Sequence, residues 1–261
     1  MQIVKISMVG ANEHLSEKDI IDFIRAYPLA EIGIGVSAGK GGRGTPRFDY
    51  VKSLQNEVDK KCFPGRNGTI ALHVNGIGKD GESGWPYQAL NGHVNDALSE
   101  MMHFPNMSLQ VNHYGYEIPI ENAEIFAHGS DLWRKIAPRA RLILSYCDKT
   151  KEYVNTFYSA ICELHDSHIL NFGILYDMSF GNAVMAEKYA PPVFPNIIQG
   201  YAGGFSPDNI QSELVKIRTA QINPDVKIWI DAEGKLKSAD GKTLDLGKAE
   251  KFYKKIIEFQ R

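Results

Sequence analysis

The side chains of this chain that could do chemistry cluster at the ends of short apolar runs. Lys5 and Ser7 lie in the run Ile3–Gly10, and His73 and Asn75 close Gly68–Val74. Gln110 and Asn112 belong to Met107–His113, Asp177 ends Ile169–Asp177, and Gln199 sits in Pro195–Gly204. Asp231 and Glu233 belong to Val226–Gly234. Carboxylates and an imidazole gathered in one place can give and take protons, and amide side chains can orient a polar ligand. A lysine pointing into a protein interior needs a carboxylate partner or must shed its proton, so Lys5 is expected to pair with a strand-end acid such as Asp177 or Asp231. The stretch GYAGGFSPDNI, 200–210, adds an anion-binding possibility. Gly203 and Gly204 would let backbone amides approach a ligand, with Ser206 capping the following helix and Pro207 in its first turn.

These residues must be positioned by the elements around them, and the pattern of those elements is regular. Each apolar run is followed by a segment of helical period: after Ile3–Gly10 comes SEKDIIDFIRAY, in which Ser16 can cap and Ile20, Ile21, Phe23 and Ile24 form a buried stripe. Later examples are RFDYVKSLQNEV, TKEYVNTFYSAICELH and LGKAEKFYKKIIEF, with one further helix expected between Glu121 and Lys135. Eight strand–helix units in 261 residues predict a single-domain (β/α)8 TIM barrel over 1–261, an α/β fold with its function-bearing loops at the carboxyl ends of the strands. An open doubly wound sheet is the competing topology. Alternation along the first strand sets Ile3, Lys5 and Ser7 against Val4, Ile6 and Met8, and the uniformly apolar second set should face the helices. Lys5 and Ser7 then point inward, and the other polar strand ends converge with them on one mouth.

Several function classes are excluded by composition and spacing. A net charge of −2, with no dense basic block, gives no nucleic-acid footprint. The chain opens on an apolar strand and holds no run long enough to span a bilayer, which predicts a cytoplasmic protein with no membrane partner. Gly39, Gly41 and Gly44 spell G-x-G-x-x-G, yet Thr45-Pro46 separate them from the next helix and the next strand runs into His73 and Asn75. That context fits a loop over the mouth, not a dinucleotide site. Neither a P-loop nor an H-E-x-x-H pair occurs, and the three cysteines are widely spaced, so no cofactor and no metal site is expected.

Three stretches together resemble one family. VKIS in the first strand is similar to the V-K-I-C opening of phosphoribosylanthranilate isomerase, YAGGFSPDNI resembles that family's A-G-G-L-x-P-E-N-V phosphate loop, and IDAEGKLKSADGKTLDLGKAEKF resembles its last strand and helix. Looser similarities are AEIGIGV, TPRF with its ligand-binding arginine at Arg47, LQVN and ILYD. The run ALHVNG, LYD, GYAGG and WIDAE looks most like a divergent, uncharacterised branch of such isomerase-like barrels. The resemblance implies a general base at Ser7, a general acid at Asp177, and a phosphate on the amides of Gly203 and Gly204. Two departures bear on the chemistry. Ser7 replaces the family's cysteine, and a hydroxyl needs a partner to act as a base where a thiolate does not. Glu233 replaces a phosphate-binding serine, which puts a carboxylate beside the anion unless Lys235 or Arg47 neutralises it.

The expected function is therefore an isomerase-like reaction on a small polar, sugar-derived ligand carrying a phosphate, held by Lys5, Arg47, His73, Asn75, Gln110, Asn112, Gln199, Gly203, Gly204, Asp231 and Glu233. Two alternatives stay open: a lyase or hydrolase built on Asp177, Asp231 and Glu233, with or without a divalent cation, and a ligand-binding barrel without catalysis.

Overall fold

The computed structural model describes residues 1–61, 70–76, 84–91, 93–102, 107–112, 121, 140–164, 172–177, 179, 182, 184–194, 197–221, 223 and 225–261. Eight strands, β1 (Gln2–Ala11), β2 (Ala30–Val36), β3 (Ile70–Val74), β4 (Met107–Val111), β5 (Ala140–Tyr146), β6 (Phe172–Asp177), β7 (Ile198–Ala202) and β8 (Lys227–Ala232), pair in sequence order and close on themselves. Every pairing is parallel, so the fold is the expected single-domain (β/α)8 barrel and the open sheet is ruled out. Around it lie α1 (Glu17–Ala26), α2 (Pro46–Lys61), α3 (Trp85–Leu90), α4 (Asp96–Met101), α5 (Lys151–Leu164), α6 (Ile210–Ala220) and α7 (Leu246–Gln260). The short helix α3 arises where a loop is expected, with Pro86 in its first turn and Trp85 buried. The helix expected between Glu121 and Lys135 lies outside the described residues, apart from Glu121 itself.

Two apolar cores divide the work. The larger fills the space between strands and helices with one parity of each strand, for example Ile6 and Met8, Ile32 and Ile34, Leu72 and Val74, Leu109 and Val111. The α1 stripe of Ile20, Ile21, Phe23 and Ile24 packs into it as its spacing requires. The smaller core is inside the barrel and contains Ile143, Leu175, Ala202 and Trp229. Gly200 makes room for it: a Cβ there would lie 2.2 Å from the Trp229 ring.

Alternation places Lys5 and Ser7 inside, but Ile3 breaks the expected parity. A register shift between Ile3 and Lys5 turns Ile3 toward the helices, where it joins the outer core. A bulge adds one residue to a strand and so reverses the facing of everything before it.

Candidate active site at the barrel mouth

The floor of the site is an ion pair that sequence reasoning assigned to the wrong partner. The Lys5 ammonium lies 2.8 Å from Glu31 Oε1 and 2.9 Å from Oε2, and it donates to Ser108 Oγ at 3.1 Å. Ser108 Oγ in turn donates to Glu31 Oε2 at 2.7 Å, closing a three-residue ring inside the barrel. Glu31 and Ser108 are each 1% exposed. Lys5 is thus inward as expected, yet its carboxylate comes from the neighbouring strand β2 and not from Asp177 or Asp231. Burial pulls the Lys5 pKa below its ordinary value against the opposing pull of Glu31. The signal for Glu31 was present in AEIGIGV, where Glu31, Gly33 and Gly35 share the parity opposite to the apolar Ile32, Ile34 and Val36.

Above this floor a cavity of about 120 Å³ opens at the carboxyl ends of the strands. His73, Gln110, Asn112, Asp177, Asp231 and Glu233 all line it, together with Gly203 and Gly204. Gly33 gives His73 its place: a Cβ there would meet Nε2 at 3.0 Å. An amide chain orders one wall. Gln110 Nε2 donates to Asn112 Oδ1 (3.0 Å), Asn112 Nδ2 to Asn75 Oδ1 (2.7 Å), and Asn75 Nδ2 to the His73 carbonyl (3.1 Å). On the opposite wall Asp177 Oδ1 accepts from the Ser179 amide at 3.0 Å and its hydroxyl at 2.6 Å, a second partner that the sequence did not point to.

Three buried polar atoms beside or facing this cavity have no hydrogen-bond partner: Ser7 Oγ, His73 Nε2 and Asp231 Oδ1. Buried polar groups are nearly always satisfied within the protein, so unpaired ones that converge on one cavity mark a place where a ligand completes them. Burial raises the Asp231 pKa to about 8, helped by the nearby carboxylates Glu233, Glu31 and Asp177. The adjacent Ser7 hydroxyl pulls the other way without reaching hydrogen-bond geometry. Burial likewise lowers His73 to about 4, with Glu233 and Glu31 opposing and Lys5 assisting. At neutral pH the cavity therefore holds a mainly protonated Asp231 and a neutral imidazole.

The glycine corner has left-handed backbone at both glycines, with φ of 123° at Gly203 and 66° at Gly204. An L side chain at either position would be strained, and at Gly203 a Cβ would also press on the Val184 carbonyl at 3.0 Å. Ser206 and Asn209 then cap each other: the Ser206 amide donates to Asn209 Oδ1 at 2.8 Å, and the Asn209 amide to Ser206 Oγ at 3.3 Å. This reciprocal pair is a capping box: the Ile210 amide already donates to the Ser206 carbonyl at 3.1 Å, and a turn over 207–209 leads into α6 at Ile210.

Two expected ligand residues sit elsewhere. Gln199 faces outward, because the inward positions of β7 go to Ile198, Gly200 and Ala202 against Trp229 and its neighbours. Its amide is engaged there, donating to the Phe194 carbonyl at 2.7 Å and accepting from the Tyr176 hydroxyl at 2.8 Å. Arg47 lies in a separate, wider cleft of about 810 Å³ over β1–β3, where its Nε binds Glu13 and its Nη1 donates to the Gly35 carbonyl at 2.5 Å. It does not reach Glu233. The cation beside Glu233 is Lys237, at 3.0 Å, and both line the 120 Å³ cavity and the wider cleft alike. Among the described residues no group of three or more His, Cys, Asp or Glu side chains could hold a metal ion, and no helix is long and apolar enough to cross a membrane.

No protein-family model matches the chain, and no curated protein matches it.

Proposed function

We propose that the barrel is a proton-transfer isomerase acting on a small, phosphorylated, sugar-derived ligand, with chemistry of the phosphoribosylanthranilate isomerase type. The observation that carries the reading is the meeting in one cavity of a buried Asp231 whose Oδ1 has no hydrogen-bond partner, a neutral His73 whose Nε2 has none, and the glycine corner. An aldose-to-ketose rearrangement needs one group to protonate the ring oxygen as the ring C–O bond breaks. It needs a second to take the proton from C2 as the C1–C2 double bond forms. Asp177 is the acid in this scheme. Asp231 takes the base role beside Ser7, with which it is paired across β1 and β8. A carboxyl with a pKa of about 8 is a far stronger base than an ordinary aspartate once ionised, and it lies close to neutral pH. His73 Nε2 accepts a ligand hydroxyl, and the phosphate lies on the amides of Gly203 and Gly204. Lys237, tied to Glu233, offsets the carboxylate that would otherwise repel the anion.

The test is incubation of the protein in D2O with ribose 5-phosphate and with N-(5-phosphoribosyl) aryl amines, followed by proton NMR of C2. Deuterium uptake at C2 that is lost in Asp231→Asn supports the proposal. If no phosphorylated aldose derivative exchanges, and inorganic phosphate does not perturb the amide resonances of Gly203 and Gly204, the reading fails.

A further inference from the structure

A lysine, a glutamate and a serine closed on one another inside a barrel need a reason, because a buried ion pair seldom stabilises more than apolar residues of the same volume. Nothing in the proton-transfer scheme uses them directly, since neither Lys5 nor Glu31 lines the cavity. Their position relative to Asp231 supplies the reason. Ser7 on β1 is paired with Glu31 on β2 on one side and with Asp231 on β8 on the other. The three side chains thus occupy adjacent positions of one inward layer, with a hydroxyl set between two carboxyl groups. That hydroxyl is 1% exposed and has no partner. Glu31 is held on its far side by three short contacts from Lys5 and Ser108, which fix both of its oxygens. Lys5 is itself fixed, with its ammonium 5.4 Å from the centre of the Trp229 ring on β8.

We propose that Glu31, clamped by Lys5 and Ser108, is a positioning residue whose fixed charge, one strand beyond Ser7, sets the proton occupancy of the Asp231 carboxyl. The inference rests on the reading of Asp231 as the proton-transfer group. Asp231 is faced by Lys5 and Ser7 on β1, Glu31 on β2, His73 on β3, Asp177 on β6, and Glu233 with Lys237 just beyond β8. Beneath the cavity Glu31 and Lys5 are locked to each other through Ser108, with the Arg141 guanidinium of β5 acting on both, so this cluster presents a fixed set of charges there. The negative end of that pair is the nearer in register, because Lys5 stands opposite Trp229, below the layer of Asp231. A fixed negative neighbour favours the protonated carboxyl, and its effect on Asp231 has that direction.

The experiment is a carbon-13 carboxyl titration of the intact protein labelled at aspartate, with the Asp231 signal assigned by its loss in Asp231→Asn. Glu31→Gln removes the nearby negative charge and frees Lys5, and it is expected to lower the Asp231 midpoint by at least half a pH unit. Lys5→Met/Glu31→Leu removes the pair without stranding a charge, so it stays folded if the single variant does not. A smaller fall in the same direction is expected there. Ser7→Ala keeps every charge and should raise the midpoint by removing a potential donor to the carboxylate. The proposal is overturned if the Asp231 midpoint stays within 0.2 unit of the native value in Glu31→Gln, or if it rises in either Glu31 variant. Thermal melts run alongside separate this from a merely structural role, which would move the melting temperature and leave the midpoint alone. The titration needs no substrate. A barrel that exchanges no ligand proton but shows these shifts would disprove the isomerase reading and keep the coupling.

Discussion

Replacing Asp231 by asparagine should make the protein more stable, and increasingly so as the pH rises. The carboxyl titrates at about 8 when folded against 3.8 in the unfolded reference, and it is 6% exposed. Between those values the unfolded chain has released the proton and the folded one has kept it, so each rise in pH favours unfolding. The stabilisation that belongs to the neutral form is complete below about pH 4 and is lost as the pH climbs through about 8. At about 1.4 kcal/mol per unit, the roughly three units between the unfolded value and pH 7 cost about 4 kcal/mol. Asparagine never ionises and escapes that cost. Its extra amide hydrogen in a cavity with unpaired neighbours gives back about 1–3 kcal/mol, the same at every pH. The diagnostic quantity is therefore the slope: the advantage of Asp231→Asn should grow by about 1 kcal/mol per unit between pH 5 and 7.5. Urea denaturation of the two proteins at half-unit steps measures it. Parallel stability curves across that range would show that Asp231 ionises normally in the folded state, and the argument that burial holds its proton would be wrong.

Three further outcomes are expected. Lys5→Met strands Glu31 inside the barrel and should destabilise by about 3–4 kcal/mol at pH 7, more than Lys5→Met/Glu31→Leu, which leaves no charge unpaired; equal losses for the two variants in urea melts would refute it. Gly200→Ala drives a methyl to 2.2 Å from the Trp229 ring, so it should lower stability by about 2–4 kcal/mol and shift the tryptophan fluorescence, whereas an unchanged melting temperature would mean that the ring can move aside. Glu233→Ser leaves Lys237 unpaired at the cavity and should tighten phosphate or sulfate binding by about 1–3 kcal/mol at low ionic strength, and weaker binding in a calorimetric titration would favour a neutral ligand.

What the sequence revealed and what it hid divide along one physical line. Strand and helix periodicity is local, so the eight strands, most of the helices and the inward facing of Lys5 and Ser7 were legible. Which side chains meet depends on register between strands, and that is not local. Glu31 shares its parity with Gly33 and Gly35, yet nothing within AEIGIGV states that it lies opposite Ser7 or within reach of Lys5. Gln199 faces outward although it is polar, because polarity alone does not fix which side of a strand a residue takes. The irregular chain at 189–194 supplies backbone partners on the outer side of β7 and Tyr176 of β6 a hydroxyl, and an outward glutamine is satisfied there. The separation of Arg47 from the eighth strand end is likewise set by the barrel and not by the TPRF motif. Ile3 escaped because a single bulge near Val4 reverses parity without leaving a mark in composition.

An apolar plug fills part of the barrel interior on the β5–β8 side, although Arg141, Ser145 and Asp177 are polar there, and its edge accounts for the place of Asp231. Strands β5 to β8 contribute Ile143, Leu175, Ala202 and Trp229, and two glycines, Gly173 and Gly200, give way to the indole. Strands β1 to β4 contribute Lys5, Ser7, Glu31, His73, Ser108 and Gln110, all buried. Glycines are spent on this side too, where Gly33 and Gly35 clear space for His73 and Asn75. Asp231 stands on the seam. Its own strand places Trp229 two residues beneath it, and across β1 it meets Ser7 with Glu31 behind. Apolar surroundings on one side and a fixed negative charge on the other both favour the neutral acid. An apolar plug throughout would have left Asp231 buried but uncoupled. A polar interior throughout would have solvated it and returned it to an ordinary aspartate. A carboxyl that keeps its proton near neutral pH, yet can release it, requires both surroundings at once, and the two pairs of glycines are what allow them to coexist in so narrow a barrel.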